Sequence, residues 1–168
     1  ELANKHPRVN ILQPGTGVGG HCIAVDPWFI ISQDKKNTKL IYTARNVNNY
    51  KTNWVINKIE KAIFKKISEK ILKPKIACLG LSFKPNIDDL RESKALEISK
   101  TLLEKGHKVF AVDPNIISHK EIPILSLHDA LENSDIICIL VKHNEFITPS
   151  VKEKLVKFGA LDFCGALF

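Results

Sequence analysis

From residue 75 to residue 163 the chain alternates short apolar runs with amphipathic segments, and this alternation narrows the choice of fold more than any other feature. Ile76-Ala77-Cys78-Leu79-Gly80 reads as a strand. Residues 92–104 read as a helix with Ala95, Leu96, Ile98, Leu102 and Leu103 on its buried side, stopped by Gly106 just past Lys105. Lys108-Val109-Phe110-Ala111-Val112 is the next strand, closed by Asp113-Pro114. Residues 127–131 form a short helix capped by Ser126, with Asp129 three positions on. Residues 135–141 are almost continuously apolar, which suits a strand covered on both faces. Residues 149–157 read as a helix and Ala160-Leu161-Asp162-Phe163 as the last strand. The βαβαβ order predicts an α/β fold, a Rossmann-like parallel sheet with helices on both faces. Ligands of such sheets bind beyond the carboxyl ends of the strands.

The segment before the sheet has a different period. A helix is expected from about residue 39 to about residue 72, ended by Pro74. Roughly 33 residues at 1.5 Å each give about 50 Å. A compact body of this chain length is only about 40 Å across. The helix therefore reads as a long connector, with a break at Asn48-Asn49 as the alternative. This divides the chain into residues 1–73, a glycine-rich loop with a connector helix, and residues 74–168, the sheet domain. Residues 1–5 have helical character cut short by Pro7, as in a chain truncated inside a helix.

Charge is uneven. The whole chain carries +7, and between residues 51 and 75 eight lysines face only Glu60 and Glu69. The apolar residues of that stretch (Val55, Ile56, Ile59, Ala62, Ile63, Ile67 and Ile71) make one helical stripe, so the lysines are read first as a solvated face. A basic surface also raises the local concentration of a phosphorylated ligand. Nucleic-acid binding is not expected, because arginine is scarce and aromatic stacking positions are not interleaved. An apolar fraction of 44% excludes a disordered chain, and no apolar run approaches a membrane span. No signal peptide is visible. The four cysteines stand singly, without disulfide or zinc spacing, which reads as reduced, cytoplasmic usage with no metal site.

Two loops carry the chemistry. Residues 13–28 place Gly15, Gly17, Gly19 and Gly20 within six positions, just before His21-Cys22. These glycines permit positive φ and close approach of backbone to a ligand. Cys22 lies outside any apolar run and can act as a thiolate nucleophile. Asp26, four residues on, can orient water or a proton. The competing reading tucks Cys22 under the loop and makes Asp26 a mere turn cap. His21 beside Cys22 is one candidate base, but adjacent side chains tend to point apart, so it reads first as structural, then as a backbone or ligand contact. The second loop, residues 80–93, leaves a strand and enters a helix, where N-terminal amides attract anions. Lys84 and Arg91 add positive charge there, and arginine grips phosphate through two hydrogen bonds. The competing reading pairs both with Asp88, Asp89 and Glu92. Gly80 stands alone without a G-x-G-x-x-G pattern, so no dinucleotide fingerprint is present. Asp113 ends its strand where a ribose-reading acid would stand.

Gly15-Thr-Gly-Val-Gly-Gly-His-Cys-Ile-Ala-Val-Asp-Pro-Trp-Phe and Gly80-Leu-Ser-Phe-Lys-Pro-Asn-Ile-Asp-Asp-Leu-Arg-Glu-Ser resemble the UDP-glucose/GDP-mannose dehydrogenase family. The His-Cys-Ile-Ala-Val-Asp-Pro-Trp wording is most similar to its branch acting on UDP-N-acetyl-D-mannosamine. Val25 stands where UDP-glucose members carry a lysine, which agrees with that branch. The resemblance corresponds to the later part of such an enzyme, without the N-terminal domain that binds NAD. It implies two successive NAD-dependent oxidations of a sugar C6 alcohol to a carboxylate, in polysaccharide biosynthesis. It makes Cys22 the nucleophile, through a thiohemiacetal and then a thioester, and Asp26 the acid that assists proton handling and hydrolysis. Lys84 matches a lysine that contacts the nucleotide-sugar, and Arg91 one that reaches NAD. The loop with Gly15, Gly17, Gly19 and Gly20 would wrap uridine and diphosphate, and Arg8 matches an arginine that reaches a neighbouring subunit's substrate. The connector helix would be a homodimer surface, and residues 74–168 the UDP-binding Rossmann-like domain. A chain of this extent is expected to be inactive alone. The alternative is a non-catalytic nucleotide-binding or dimerisation module.

Overall fold

The computed structural model describes residues 2–8 and 11–168. A short 3-10 turn, Leu2–Lys5, comes first. It is followed by the glycine loop, α1 (Asp26–Gln33) and α2 (Lys39–Ser68). The sheet region then runs β1 (Lys75–Leu79), α3 (Lys94–Glu104), β2 (Lys108–Val112), α4 (Leu127–Asn133), β3 (Ile136–Ile139), α5 (Pro149–Phe158) and β4 (Leu161–Asp162). The four strands pair in parallel in the order β2-β1-β3-β4. The expected α/β sheet is therefore present.

Alternate strand residues go to opposite faces, and each face has its own helices. Ile76 and Cys78 of β1, Val109 and Ala111 of β2, and Cys138 of β3 pack with Val55, Ile59 and Ile63 of α2 and with Ile98 and Leu102 of α3. Ala77 and Leu79, with Val112, Ile137 and Ile139, pack with Ala130 of α4 and Leu155 of α5. The sheet is thus covered on both sides, which is why its strands are apolar at consecutive positions.

Helix boundaries follow local chemistry. Ser93 caps α3, its hydroxyl accepting from the Leu96 N–H at 3.2 Å. Ser126 caps α4, accepting from the Asp129 N–H at 3.0 Å and donating to the Asp129 carboxylate at 2.7 Å. Gly159 ends α5 in the left-handed region. The helix α2 is unbroken for 30 residues, about 45 Å. The Asn48-Asn49 break does not occur, and the Asn48 side chain instead bonds outside the helix, to the Val18 N–H. Helix α1 was not foreseen. Its eight residues start at Asp26 with Pro27 in the first turn. No helix among the described residues is long and apolar enough to cross a membrane.

Candidate functional site

In the order β2-β1-β3-β4 the connection leaving β1 runs to one side and that leaving β3 to the other, so the crevice at the carboxyl ends of β1 and β3 is the switch point where such sheets bind ligands. The loop of residues 80–93 opens there. The glycine loop docks onto it from the α2 side.

Three hydrogen bonds fix the glycine loop. The Thr52 hydroxyl donates to the Thr16 carbonyl at 3.3 Å, the Val18 N–H donates to Asn48 Oδ1 at 2.8 Å, and the Gly20 N–H donates to the Arg91 carbonyl at 3.1 Å. The first two come from one face of α2. The close approach that the glycines permit is largely to protein. A methyl on Gly19 would strike the Glu92 carbonyl and sit 2.9 Å from Phe83 Cβ, and one on Gly20 would sit 2.9 Å from the Phe83 ring. Gly17 lies beside Thr52 and Lys94, while Gly15 has open space around its Cα. Glycine at 19 and 20 thus presses the Cys22 loop onto Phe83 and Glu92.

Cys22 follows directly. Its carbonyl accepts from the N–H groups of Val25 at 3.0 Å and Asp26 at 2.8 Å, so the thiol and the carboxylate sit one turn apart at the head of α1. Both residues are exposed. Asp26 is the first residue of α1, not its cap, and its carboxylate has no hydrogen-bond partner among the described residues, so the turn-cap reading fails. Burial pushes the other three thiols up, Cys78 to about 11, Cys164 to about 12 and Cys138 well above the usual range. Cys22 is the exposed one.

Arg91 stands where the two loops meet, its carbonyl accepting from the Gly20 N–H, and the pairing reading holds for it. Its guanidinium Nε lies 3.0 and 2.9 Å from the two Asp89 oxygens, with Nη2 2.5 Å from Oδ2. This fork, with the Arg91 N–H, holds the Asp89 carboxyl down at about 2, with a smaller contribution from nearby His21. Arg91 is held above its ordinary value, chiefly by Asp89 and in lesser part by Cys22. Its side chain remains 63% exposed. Lys84 is exposed and forms no ion pair among the described residues, its Nζ 5.6 Å from the Phe83 ring centre. Arg8 is exposed and makes no hydrogen bond or ion pair with either loop among the described residues.

Asp113 reads no ribose. It is buried, with Oδ2 accepting from the N–H groups of Leu81 at 2.7 Å and Ser82 at 3.2 Å, and Oδ1 from Asn115 at 2.9 Å. Burial alone would raise its carboxyl, but these bonds and one to His143 outweigh that and hold it below the usual range. Sequence reasoning also missed Phe83, Asn48, Thr52, Arg45 and His143. Arg45, Asn48 and Thr52 fall on the same stripe of α2 as Val55 and Ile59, and polar residues on an apolar stripe were the available signal. Arg45 Nε and Asn48 Nδ2 are buried without a hydrogen-bond partner among the described residues.

Residues 77–164 match the UDP-binding domain of the UDP-glucose/GDP-mannose dehydrogenase family, and residues 1–50 match its central domain. The UDP-N-acetyl-D-mannosamine dehydrogenase of Campylobacter jejuni is 51% identical over 94% of this chain, and that of Escherichia coli K12 is 48% identical over 86%. The chain spans only 39% and 37% of those relatives. Among solved structures, the UDP-D-ManNAc dehydrogenase of Pyrococcus horikoshii superposes with a TM-score of 0.77 at 31% identity, over 99% of this chain and 40% of that one. The UDP-N-acetyl-mannosamine dehydrogenase Cap5O of Staphylococcus aureus does so with 0.63 at 40%, over 88% and 34%. A UDP-binding-domain match over more than half of the chain, a central-domain match before it and relatives near 50% identity mean that the chain belongs to the UDP-glucose/GDP-mannose dehydrogenase family.

Proposed function

We propose that this chain is the central and UDP-binding part of an enzyme that oxidises the C6 alcohol of UDP-N-acetyl-D-mannosamine to the uronate. The carrying observation is the docking of the Cys22 loop onto the Lys84–Arg91 loop through Gly19, Gly20 and Phe83. The Phe83 ring that receives Gly20, two residues before the exposed Cys22, has Lys84 Nζ 5.6 Å from its centre, which supports one site shared by the two loops.

In this reading Lys84 faces the nucleotide-sugar, and the glycine loop lines the uridine and diphosphate. The Cys22 sulfur attacks the aldehyde carbon, forming a C–S bond and a tetrahedral thiohemiacetal. NAD, when bound, accepts the hydride at each oxidation. Loss of hydride from the thiohemiacetal leaves a thioester on Cys22. Water adds to the thioester carbonyl, the C–S bond breaks, and Cys22 recovers its thiol as the carboxylate departs. Asp26, one turn away and without a competing partner, holds the proton of that water. Arg91, forked on Asp89 and still exposed, fits a single contact to the cofactor. After β1 Gly80 stands alone, without the further glycines by which a dinucleotide loop lets backbone approach a pyrophosphate, so NAD is not assigned to this sheet. The cofactor belongs to a domain outside this chain, so residues 1–168 alone are expected to be inactive.

The division into residues 1–73 and 74–168 belongs to the same reading. So does a homodimer through α2, which is supported by the exposed Tyr42, Val47, Tyr50 and Phe64 along it and by Phe29 and Ile30 on α1. Arg8, near the start, then reaches a neighbouring subunit. The test is Cys22→Ser in the purified enzyme with UDP-N-acetylmannosamine and NAD. Uronate formation should disappear while UDP binding stays within about twofold. Unchanged uronate formation would refute the role of Cys22.

A further inference from the structure

We propose that His143 is a positioning residue: without touching the nucleotide, it locks the Lys84 loop and so sets affinity for the diphosphate of the nucleotide-sugar. The proposal rests on the reading of Lys84 given above.

His143 is fully buried just beyond β3, its ring packed edge-on to Phe146 at 5.5 Å. Its Nδ1 accepts the backbone N–H of Asn86 at 3.1 Å. A nitrogen that accepts carries no hydrogen, so the imidazole hydrogen sits on Nε2. That N–H points between Ser82 Oγ at 3.2 Å and Asp113 Oδ2 at 3.3 Å. The Ser82 hydroxyl in turn donates to the Lys84 carbonyl at 2.9 Å. A chain of donors thus runs from His143 through Ser82 to the backbone of Lys84.

The other side of the loop is gripped as well. Asn86 sits in the left-handed region at φ 63°, and its Oδ1 accepts the Asn144 N–H at 3.0 Å. Asn86 and the residues around His143 therefore clasp each other twice. Lys84 lies between the two residues, Ser82 and Asn86, that His143 holds. One imidazole joins the loop after β1 to the ends of β2 and β3, across the switch point. An exposed lysine on a loop so fixed loses less conformational freedom when it meets a phosphate, which raises affinity without a new contact.

The Ser82, His143 and Asp113 set is not a hydrolytic triad. Serine and aspartate face the same ring nitrogen, the serine proton is engaged by the Lys84 carbonyl, and Ser82 is fully buried.

The test is calorimetric titration of the purified protein with UDP, for wild type, Lys84→Ala, His143→Ala and His143→Asn, with thermal unfolding of each. Asparagine places Oδ1 near the position of Nδ1 and can accept from the Asn86 N–H. Lys84→Ala and His143→Ala should each weaken UDP about tenfold, and His143→Asn should recover to within about threefold. If Lys84→Ala weakens binding and His143→Ala does not, the proposal is overturned and the Lys84 reading stands. If Lys84→Ala has no effect, both fall. Equal losses in His143→Ala and His143→Asn that follow only the thermal midpoint also overturn it, since a structural role predicts no selective rescue. Should His143→Ala not fold, Ser82→Ala takes its place, with about threefold weaker UDP expected and unchanged affinity overturning the proposal.

Discussion

Gly19→Ala should undock the Cys22 loop while leaving the sheet intact. Three hydrogen bonds tie the glycine loop to α2 and to Arg91, each contributing about 1 kcal/mol net. Together they favour the docked state by about 3 kcal/mol, or roughly 150 to one. An alanine Cβ would strike the Glu92 carbonyl and press on Phe83. Neither partner gives way readily, because Glu92 is backbone at the lip of α3 and Phe83 is held by its N–H donating to the Asp89 carbonyl at 3.0 Å. Overpacking of this kind costs about 1–3 kcal/mol. At the middle of that range the docked preference falls about thirtyfold, to roughly five to one. Hydrogen exchange at the Val18 and Gly20 amides reads this preference directly. Protection there should fall about thirtyfold in Gly19→Ala, while amides of β1 and β3 keep theirs. Protection within threefold of wild type at both amides would refute the reasoning, since the glycine would then serve no packing purpose.

Asp113 has a carboxyl held below its ordinary 3.8, so its contribution to stability is complete above that value and is lost as pH falls through the lower folded value. The thermal midpoint should therefore drop between pH 5 and pH 3 more steeply in wild type than in Asp113→Asn, which is itself destabilised by about 2–3 kcal/mol at pH 7; parallel pH profiles would count against this. Ile98→Ala removes a fully buried side chain between α3 and the sheet and should cost about 2–5 kcal/mol in denaturant unfolding. Ser126→Ala removes the α4 cap and should cost about 1 kcal/mol, with α4 amides losing protection first.

The strands and α3, α4 and α5 were legible because their signals are local. A run of Ile-Ile-Cys-Ile-Leu, a serine three residues before its acceptor partner and a glycine after a helix act within one turn or one pleat. The cysteine loop was legible as a pattern, and Cys22 and Asp26 are exposed at the head of α1. The reason for its glycines was not, because Phe83 and Glu92 stand more than sixty residues away in the chain. Arg91 and Lys84 looked equivalent in sequence. The turn that folds Asp89 back onto Arg91 pairs one, while the other forms no ion pair among the described residues. Helix α1 is too short for an apolar stripe to show in the sequence, since eight residues are about two turns and only Ile31 of them is buried.

By itself, then, the sequence determined which segments are strands and helices, that the strands run parallel, and which thiol stands outside the core. These follow from side-chain periodicity and from connections too long for hairpins. Only the tertiary structure decided what Asp113, Ser82, Asn86 and His143 do, because β1 must lie between β2 and β3 before their polar atoms meet. Hydrogen bonds act over about 3 Å and leave no periodic trace, so a network joining three strand ends is settled by packing alone.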